Sequence, residues 1–492
     1  MAQTLTGRTD HVVVVGAGLS GLATALHLLG AGRSVTILER DPRPGGRAGQ
    51  ADIDGYRVDT GASVLTMPEL IDETFAAVGD SLSARLDLIP LRPAYRAVFA
   101  DGSALDVHTD AAAMAEEIRA TIGPADASGY LRLRRWLGEL YRVQRDSFIA
   151  ANFDSPLDLV NPSLAALIGL GGFGRLGPTV GRFIQDDRLR RVFTFQSLYA
   201  GVSPSQALAA YGVIPYMDTV GGVFFPRGGV GALAEAMADA AKDAGAMLRF
   251  DTPVAWLERV GGRVSAVRTT TGERISCDAV VLTPDLPAAY RLLGIRPRRL
   301  WPTRWSPSAF LLHAGTTRTW PELRHHTLFF GAAWDRTFNE IIRQGRLMSD
   351  PSLLVTQPTL TDPSLAPSGR HLVQVLAPVP NLRVGPLDWT RVGPAYRDEL
   401  AGVLEKRGLA GFDAAIETQR LVTPADWAAL GLAEGTPFSA AHTFPQTGPF
   451  RPRNLIRGVD NVVLAGCGTT PGVGIPPVLI SGRLAAQRIT GM

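Results

Sequence analysis

Three glycines near the start of the chain have the spacing of a phosphate-binding turn. Gly16, Gly18 and Gly21 form the pattern G-x-G-x-x-G between an apolar run and a helical pattern. The first glycine of such a turn permits the bend, the second lets a pyrophosphate approach the backbone, and the third allows close helix–strand packing. The helix that begins at Leu19 and Ser20 directs its free amides and positive dipole end at the phosphates. These residues predict a dinucleotide site.

An acidic residue ends the next predicted strand. Glu39 stands where an acid accepts hydrogen bonds from an adenosine ribose. A carboxylate at this position argues against a cofactor that carries a 2′-phosphate. The glycine pattern alone is weak evidence, and its alternative is a helix-packing cluster with a surface glutamate. The combination with Glu39 is much more specific, and we include the adjacent Arg40 among the expected cofactor contacts.

A second glycine pair follows the acid. Gly45 and Gly46, with Arg47, have no role in a plain nicotinamide-nucleotide domain. In a flavin domain this loop can approach the pyrophosphate and ribityl chain, while Arg47 lies along the cofactor. An ordinary loop turn is the alternative. Three more residues end a predicted strand at a point where a glycine would let the backbone reach a flavin ring: Gly61, Ala62 and Ser63.

The far end of the chain contains a matching arrangement. A short apolar run leads into a glycine-rich turn, and a helix then starts at a proline, as the first helical turn favours. A helix N-terminus directed at the N1–C2=O edge would stabilise an anionic reduced flavin. A second structural turn is the alternative. The expected contacts here, with one residue from the middle of the chain, are Gly466, Gly468, Gly474, Ile475 and Val254.

The elements that must position these residues alternate between strand and helix. The apolar periodicity predicts a βαβ unit at the start, a long helical region, a second α/β region, a stretch of short strands and proline-rich loops, and a final strand and helix. In chain order these are 11–39, 105–215, 223–290, 300–450 and 461–489. The nucleotide site is therefore assembled from separated stretches of chain.

Composition excludes several classes of protein. The 492 residues carry 49 basic and 46 acidic side chains, a balance that does not fit a nucleic-acid binder. The two cysteines lie far apart and predict neither a disulfide framework nor a metal site. We expect no signal peptide, because the first ten residues lack an apolar core, and no membrane-spanning helix, because no run approaches about 18 apolar residues.

The two glycine-rich ends resemble the FAD-binding amine oxidase and phytoene desaturase superfamily. Four further stretches sharpen the resemblance to bacterial phytoene desaturases, most closely the actinobacterial ones, and it runs nearly end to end. The stretches are 59–68, 198–201, 225–233 and 472–476. The resemblance implies FAD as cofactor and a long apolar isoprenoid such as phytoene as substrate. One departure is Thr470, which stands where many members have histidine.

The resemblance also implies a fold. We expect an α/β protein with a Rossmann-like, glutathione-reductase-like FAD domain made from 1–75, 222–290 and 453–492. An inserted α+β substrate domain, with a helical part that could face a membrane, would comprise 76–221 and 291–452. The reaction would pass a hydride from an allylic carbon to flavin N5 with loss of a proton, and convert phytoene to products as far as lycopene.

Sequence leaves the remaining partners less defined. No motif identifies the base that takes the proton, and we name Asp146 only because its helix could line a tunnel. Quinone or oxygen would reoxidise the flavin, and nothing indicates an oligomeric state. In 163–191 an apolar face stands beside five arginines, which suits a lipid surface, with a core helix pair as the alternative. We therefore expect a peripheral protein on the cytoplasmic side of the membrane.

Three other functions remain open at this point. A desaturase or isomerase for another carotenoid would have the same site. A flavin amine oxidase would share the fold, although the C-terminal run lacks the aromatic pair expected beside a substrate amine. A non-catalytic prenyl-binding escort protein is disfavoured by the intact glycines at both ends of the chain.

Overall fold

A computed structural model describes residues 3–296 and 302–492 of the chain. The strands, numbered along the chain, are β1 His11–Val15, β2 Ser34–Leu38, β3 Gln50–Ile53, β4 Tyr56–Asp59, β5 Leu88–Pro90, β6 Tyr95–Val98, β7 Ala104–Val107, β8 Phe224–Pro226, β9 Met247–Arg249, β10 Val254–Val260, β11 Arg263–Thr269, β12 Arg274–Ser276, β13 Ala279–Leu282, β14 Ser308–Thr316, β15 His326–Phe329, β16 Leu353–Thr356, β17 His371–Val379, β18 Ile416–Val422 and β19 Val462–Leu464.

The helices follow the same numbering. They are α1 Leu19–Gly30, α2 Pro68–Ala76, α3 Leu82–Arg85, α4 Ala111–Thr121, α5 Pro124–Gln144, α6 Pro162–Gly169, α7 Leu176–Val180, α8 Asp187–Val192, α9 Val213–Thr219, α10 Gly231–Asp243, α11 Leu286–Leu292, α12 Asp335–Asn339, α13 Trp389–Lys406, α14 Phe412–Ala415, α15 Pro424–Ala429 and α16 Ile475–Thr490. None of the helices among the described residues combines the length and the hydropathy needed to cross a bilayer.

A five-stranded parallel sheet forms the first half of the molecule, in the order β19-β13-β1-β2-β9. Its central strand β1 is a run of valines, as expected of a strand that is covered on both faces. Helices α1, α10 and α16 contribute to the core on one face, and α11 with the β10–β12 sheet contributes to the core on the other. The predicted α/β class is confirmed.

All five strands of this sheet come from the three stretches expected to form the nucleotide domain. The two ends of the chain meet here, because β19 pairs with β13 and α16 packs along α1. The stretches expected to form the two domains are also joined by main-chain hydrogen bonds, since β5 from 76–221 pairs with β8 from 222–290 in a separate two-stranded sheet. We call the parallel sheet and its covering layers the nucleotide half.

The second half is built on a seven-stranded mixed sheet in the order β18-β14-β17-β16-β15-β6-β7. Its strands β14 and β17 are nine residues each, longer than the short strands predicted for 300–450. The difference arises because both strands are almost wholly buried, so their apolar runs show no alternation that a sequence pattern could register. Helices α4, α5, α7, α8 and α9 follow β7 along the chain and share a core with β6, β7 and β15.

Candidate active site

A cavity of about 990 Å³ begins at the carboxyl ends of the parallel strands and extends into the second half. Open parallel sheets bind their ligands at this edge, where successive loops leave the strands. Val15, Leu38, Thr283 and Gly466 each follow or end a strand of the sheet, and all four line the cavity. The site is therefore formed by strand ends that lie far apart in sequence.

The first glycine turn has the geometry that its residue types predict. Gly16 has φ +106°, and a Cβ on it would lie 2.2 Å from Thr283 Oγ1. Gly21 is not in contact with the cavity, and its Cβ would lie 2.0 Å from the carbonyl oxygen of Gly16. Gly21 therefore lets α1 approach the turn, while Leu19 and Ser20 begin the helix at the cavity wall.

Two glycine loops lie side by side and leave an open cradle. The Gly45 amide donates to the Ala17 carbonyl oxygen at 2.9 Å, and Gly18 forms a parallel bridge with Gly45. A Cβ on Gly18 would meet only the carbonyl oxygen of Gly45, at 3.8 Å, so the bare backbone faces the cavity. Gly46 also lines it. A pyrophosphate fits such a surface because it needs exposed amides and no side chains.

Glu39 is buried at the end of β2 and lines the cavity. Its Oε2 accepts a hydrogen bond from the Ala17 amide at 2.6 Å, and its Oε1 accepts one from the Asp41 amide at 3.1 Å. Burial raises the pKa of this carboxyl, against the opposing effect of the two amides. The next residue, Arg40, also lines the cavity, and its guanidinium donates to the Leu430 carbonyl oxygen at 2.8 Å.

The loop after Gly46 contacts two other segments of the cavity wall, one at Asp285 and one at Gly61. Arg47 lines the cavity and donates to Asp285 at 3.0 Å. A Cβ on Gly61 would lie 2.2 Å from the carbonyl oxygen of Arg47, so the 61–63 segment can approach this loop only with glycine at its start. Ala62 and Ser63 continue along the cavity wall.

The C-terminal glycine segment lies beside the first glycine turn, where a Cβ on Gly466 would lie 3.1 Å from Ser20 Oγ. Gly466, Gly474 and Ile475 line the cavity, and α16 begins at Ile475 with its N-terminus at the cavity wall. Gly468 does not line the cavity, because it packs on Leu286, where its Cβ would lie 3.0 Å from the leucine Cβ. Val254, at the start of β10, does line it.

These residues fit FAD. The exposed amides of the glycine cradle suit a pyrophosphate, Glu39 suits a ribose, and the N-terminus of α16 can face an electron-rich ring edge. Both cysteines are free, and Cys467 lines the cavity next to Gly466. Within residues 3–296 and 302–492, no group of three potential metal ligands occurs.

Beyond the cofactor segments the cavity wall is apolar and aromatic. Its aromatic residues come from both the helical layer and the second sheet, and they are Phe148, Phe173, Phe195, Tyr199, Tyr211, Phe329, Phe330, Trp334, Phe338, Trp427, Phe438, Phe444 and Phe450. Such a wall can select a ligand by length and shape but offers few groups for hydrogen bonding.

The structure does not bring Asp146 to the cavity. Its side chain is 86% exposed and lies 3.7 Å from the Arg145 guanidinium. A single π-helical turn at Arg145–Ile149 changes the face that the helix presents, so Phe148 and Ile149 line the cavity instead. The placement argues against the role suggested for Asp146 from the sequence.

One carboxyl group of the cavity was not anticipated. Asp218, near the end of α9, is 3% exposed and lines the cavity. Tyr95 donates to its Oδ2 at 3.2 Å, and the Gln196 amide lies 3.3 Å from the same oxygen. The sequence did contain a signal, because Asp218 is an acid inside the otherwise weakly polar run 213–220.

Comparison with known proteins agrees with this geometry. The chain matches the family described as flavin containing amine oxidoreductase over residues 19–490. It is 65% identical to a phytoene dehydrogenase of Streptomyces griseus, over 99% of this chain and 96% of that protein. It is 36% identical to a zeta-carotene-forming phytoene desaturase of Myxococcus xanthus, over 97% of this chain and 93% of that protein.

The fold is also found in solved structures of low sequence similarity. An oxidoreductase from Methanosarcina mazei superimposes with a TM-score of 0.63 at 15% identity, over 96% of this chain and 99% of that chain. The predicted family and the predicted FAD cofactor are confirmed by the family match. The chain belongs to the flavin containing amine oxidoreductase family and is an FAD-dependent oxidoreductase.

Proposed function

We propose that this protein desaturates a carotene, with phytoene as the first substrate. The observation that carries the proposal is the continuity of the cavity, in which a cofactor cradle opens directly onto an apolar, aromatic chamber. The relatives named phytoene dehydrogenase and phytoene desaturase support it over nearly the whole chain. A hydrocarbon has no polar group, so only tunnel length and apolar shape can orient it.

FAD, when bound, supplies the acceptor for a hydride from an allylic carbon of the substrate. The residues proposed to hold it are those of the two glycine loops, with Glu39 at the ribose and Arg47 along the cofactor. The N-terminus of α16, at the cavity wall, would stabilise negative charge on the bound cofactor through its dipole. The aromatic wall holds the polyene in place and excludes water. Quinone or oxygen is the proposed final electron acceptor.

The test of the activity is a carotenoid spectrum. Purified protein with FAD is incubated with phytoene in liposomes, with a quinone or with oxygen, and the extracted carotenoids are measured by visible absorption. New long-wavelength bands are expected, and their positions count the conjugated bonds formed. A colourless extract from FAD-loaded protein under both acceptors contradicts the proposal, and flavin bleaching by a primary amine in the same preparation would identify an amine oxidase instead.

We also propose that the protein is peripheral to the cytoplasmic face of a membrane, through an apolar patch at the cavity entrance. The patch has six exposed side chains, between 45% and 76% accessible: Leu157, Val160, Ile168, Phe173, Phe444 and Phe450. Phe173, Phe444 and Phe450 also line the cavity. The patch therefore joins the surface to the chamber, as a substrate dissolved in a bilayer requires.

The patch differs from the segment that the sequence suggested. Within 163–191, Leu176, Val180 and Ile184 are buried in the core, so they cannot contact lipid. Arg188 and Arg190 form ion pairs with aspartates. The remaining exposed apolar residues come partly from 444–450, far along the chain, and a search within one helix could not find them.

Vesicle sedimentation tests this patch. Phe173→Ser with Phe444→Ser should reduce binding to anionic vesicles about tenfold or more. Full burial of a phenylalanine is worth about 1.5–3 kcal/mol, and each of these side chains is about half exposed, so the pair loses about 1.5–3 kcal/mol in total. The matched control is Met247→Ser with Val260→Ser, two residues that are also exposed but lie on the nucleotide half. Equal losses for both pairs, or none for either, would contradict the proposed patch.

A further inference from the structure

The acidic residues of the cavity wall have an uneven distribution. Among the described residues that line it, these are Glu39, Asp41, Asp218 and Asp285. Three of them belong to the cofactor segments, where Glu39 and Asp285 accept hydrogen bonds from loop amides. Asp218 alone stands among the apolar and aromatic residues of the chamber. A carboxyl group placed in this wall is costly to bury and calls for a chemical reason.

Asp218 is held by hydrogen bonds and, among the described residues, has no positively charged partner. Within residues 3–296 and 302–492 it makes no ion pair, and its side-chain partners are the Tyr95 hydroxyl and the Gln196 amide. The titratable groups that face it are phenols, Tyr95 on β6 and Tyr199 after the turn at Phe195–Leu198. Both phenols have a pKa raised by burial, so both stay neutral.

Burial raises the pKa of Asp218 to about 8, and the hydrogen bonds from Gln196 and Tyr95 only partly oppose this. The group can therefore gain or lose a proton near neutral pH while its neighbours keep their charge state. A carboxylate that lacks a cation in an apolar site is also a stronger base than one in water.

The chain that follows Asp218 is hydrogen-bonded next to one of the cofactor segments. Shortly after α9 ends, Phe224 donates through its amide to the Leu65 carbonyl oxygen at 2.8 Å, next to the Gly61–Ser63 segment. Val64 packs in the same apolar cluster as Tyr95 and Tyr199. Asp218 and the 61–63 segment, which is expected to meet the flavin ring, line the same cavity.

We propose that Asp218 is the residue that accepts the substrate proton during desaturation. The inference deepens the proposed function and rests on it. One C–H bond breaks with its electron pair, and that hydride goes to the flavin. On the neighbouring carbon a second C–H bond breaks, its proton forms an O–H bond with the Asp218 carboxylate, and its electron pair becomes the new C=C bond. Reoxidation by the quinone or oxygen and release of the proton restore the site.

The first test is anaerobic single-turnover reduction of bound FAD by phytoene in liposomes. Wild-type protein should react faster as the pH rises, with the midpoint of the increase near pH 8. Asp218→Asn should be slower by about 10²- to 10⁴-fold, the usual contribution of a general base, and should lose this pH dependence. Asp218→Glu should recover part of the rate. The control is Asp126→Asn, which removes a buried carboxyl that accepts two backbone amides and does not line the cavity.

The second test does not depend on turnover. The pKa of Asp218 is raised in the folded state. Between about pH 4 and pH 8 the folded protein therefore keeps a proton on Asp218 that the unfolded chain has already lost. Wild-type stability should fall across that window relative to Asp218→Asn. The melting-temperature advantage of Asp218→Asn should therefore grow from about pH 5 to about pH 8 and then stay constant. A protonated carboxyl band that titrates near pH 8 in infrared difference spectra should be absent from the variant.

The outcomes separate the two proposals. Wild-type protein that leaves phytoene unchanged refutes the proposed function. Wild-type protein that desaturates phytoene, with Asp218→Asn equally fast and equally pH-dependent, refutes the role of Asp218 alone. A slow variant whose stability shows no pH-dependent difference from wild type also refutes it, because the loss would then come from a structural change.

Discussion

The nucleotide half recognises its ligand by different means from the second half, which is built on the seven-stranded sheet and which we call the chamber half. The nucleotide half presents backbone to its ligand. The space in front of Gly18 is open, since a Cβ on this residue would meet nothing closer than the Gly45 carbonyl oxygen at 3.8 Å. The chamber half presents aromatic and aliphatic side chains from helices and from the second sheet. Backbone recognition tolerates almost no substitution, whereas a wall made of side chains can change one residue at a time.

The largest expected effect is in the nucleotide half. Gly21→Ala should abolish FAD retention and lower the melting temperature, because its Cβ would collide with the Gly16 carbonyl oxygen. The measurement is flavin absorbance per protein after gel filtration, with thermal melting. The matched control is Gly402→Ala, another helical glycine, whose Cβ would meet nothing within 4 Å. It should be neutral, or stabilising by about 0.5–1 kcal/mol. If the two variants retained FAD equally and melted at similar temperatures, the nucleotide half would not be more sensitive to substitution than the chamber half.

A smaller effect is expected at the ribose position. Glu39→Ala should weaken FAD binding by about 10- to 150-fold, equivalent to about 1.5–3 kcal/mol for a charged hydrogen bond. It also removes the acceptor of the Ala17 amide. The measurement is FAD titration of the apoprotein by fluorescence quenching. Glu39→Gln keeps one acceptor oxygen and should lose less. An FAD affinity unchanged in Glu39→Ala would exclude the ribose role.

The smallest effect is expected in the chamber. Phe338 is buried, lines the cavity and packs on Trp334 with ring centroids 4.9 Å apart. Phe338→Leu should change the ratio of desaturation products about two- to threefold and leave FAD affinity within about twofold, since shape selection tolerates modest changes. Phe412→Leu is the control, because Phe412 is equally aromatic and buried but does not line the cavity. A loss of FAD in Phe338→Leu would contradict the separation of the two halves.

The same contrast explains which features could be predicted from sequence. The βαβ unit, the parallel sheet and the glycine turns depend on local patterns, and the strand at 11–15 is found at those residues. Gly61 and Gly474 are predicted as cofactor contacts, and both line the cavity. They could be predicted because a close approach of backbone to a ligand requires glycine. Gly468 shows the limit of this reasoning, since a packing glycine and a cofactor glycine look alike in sequence.

The chamber could not be predicted in this way. Its wall is made by side chains from residues 144 to 450, whose mutual placement depends on tertiary packing. Asp146 and Asp218 illustrate the problem. Both are acids near helical, partly apolar stretches, and a π-helical turn sends the first to the surface. The second lines the cavity, where Tyr95 of β6 and Gln196 of the turn at Phe195–Leu198 contact it.

The meeting of the two chain ends has a consequence for biosynthesis. The sheet that receives the cofactor needs β19 beside β13, and α16 beside α1. A ribosome that has translated only the first 450 residues has therefore produced both glycine loops but neither the last strand nor the helix that completes the pocket. Flavin loading must then wait until β19 and α16 have been synthesised, and a premature stop before β19 would yield a protein that lacks one side of the cofactor pocket and should be colourless.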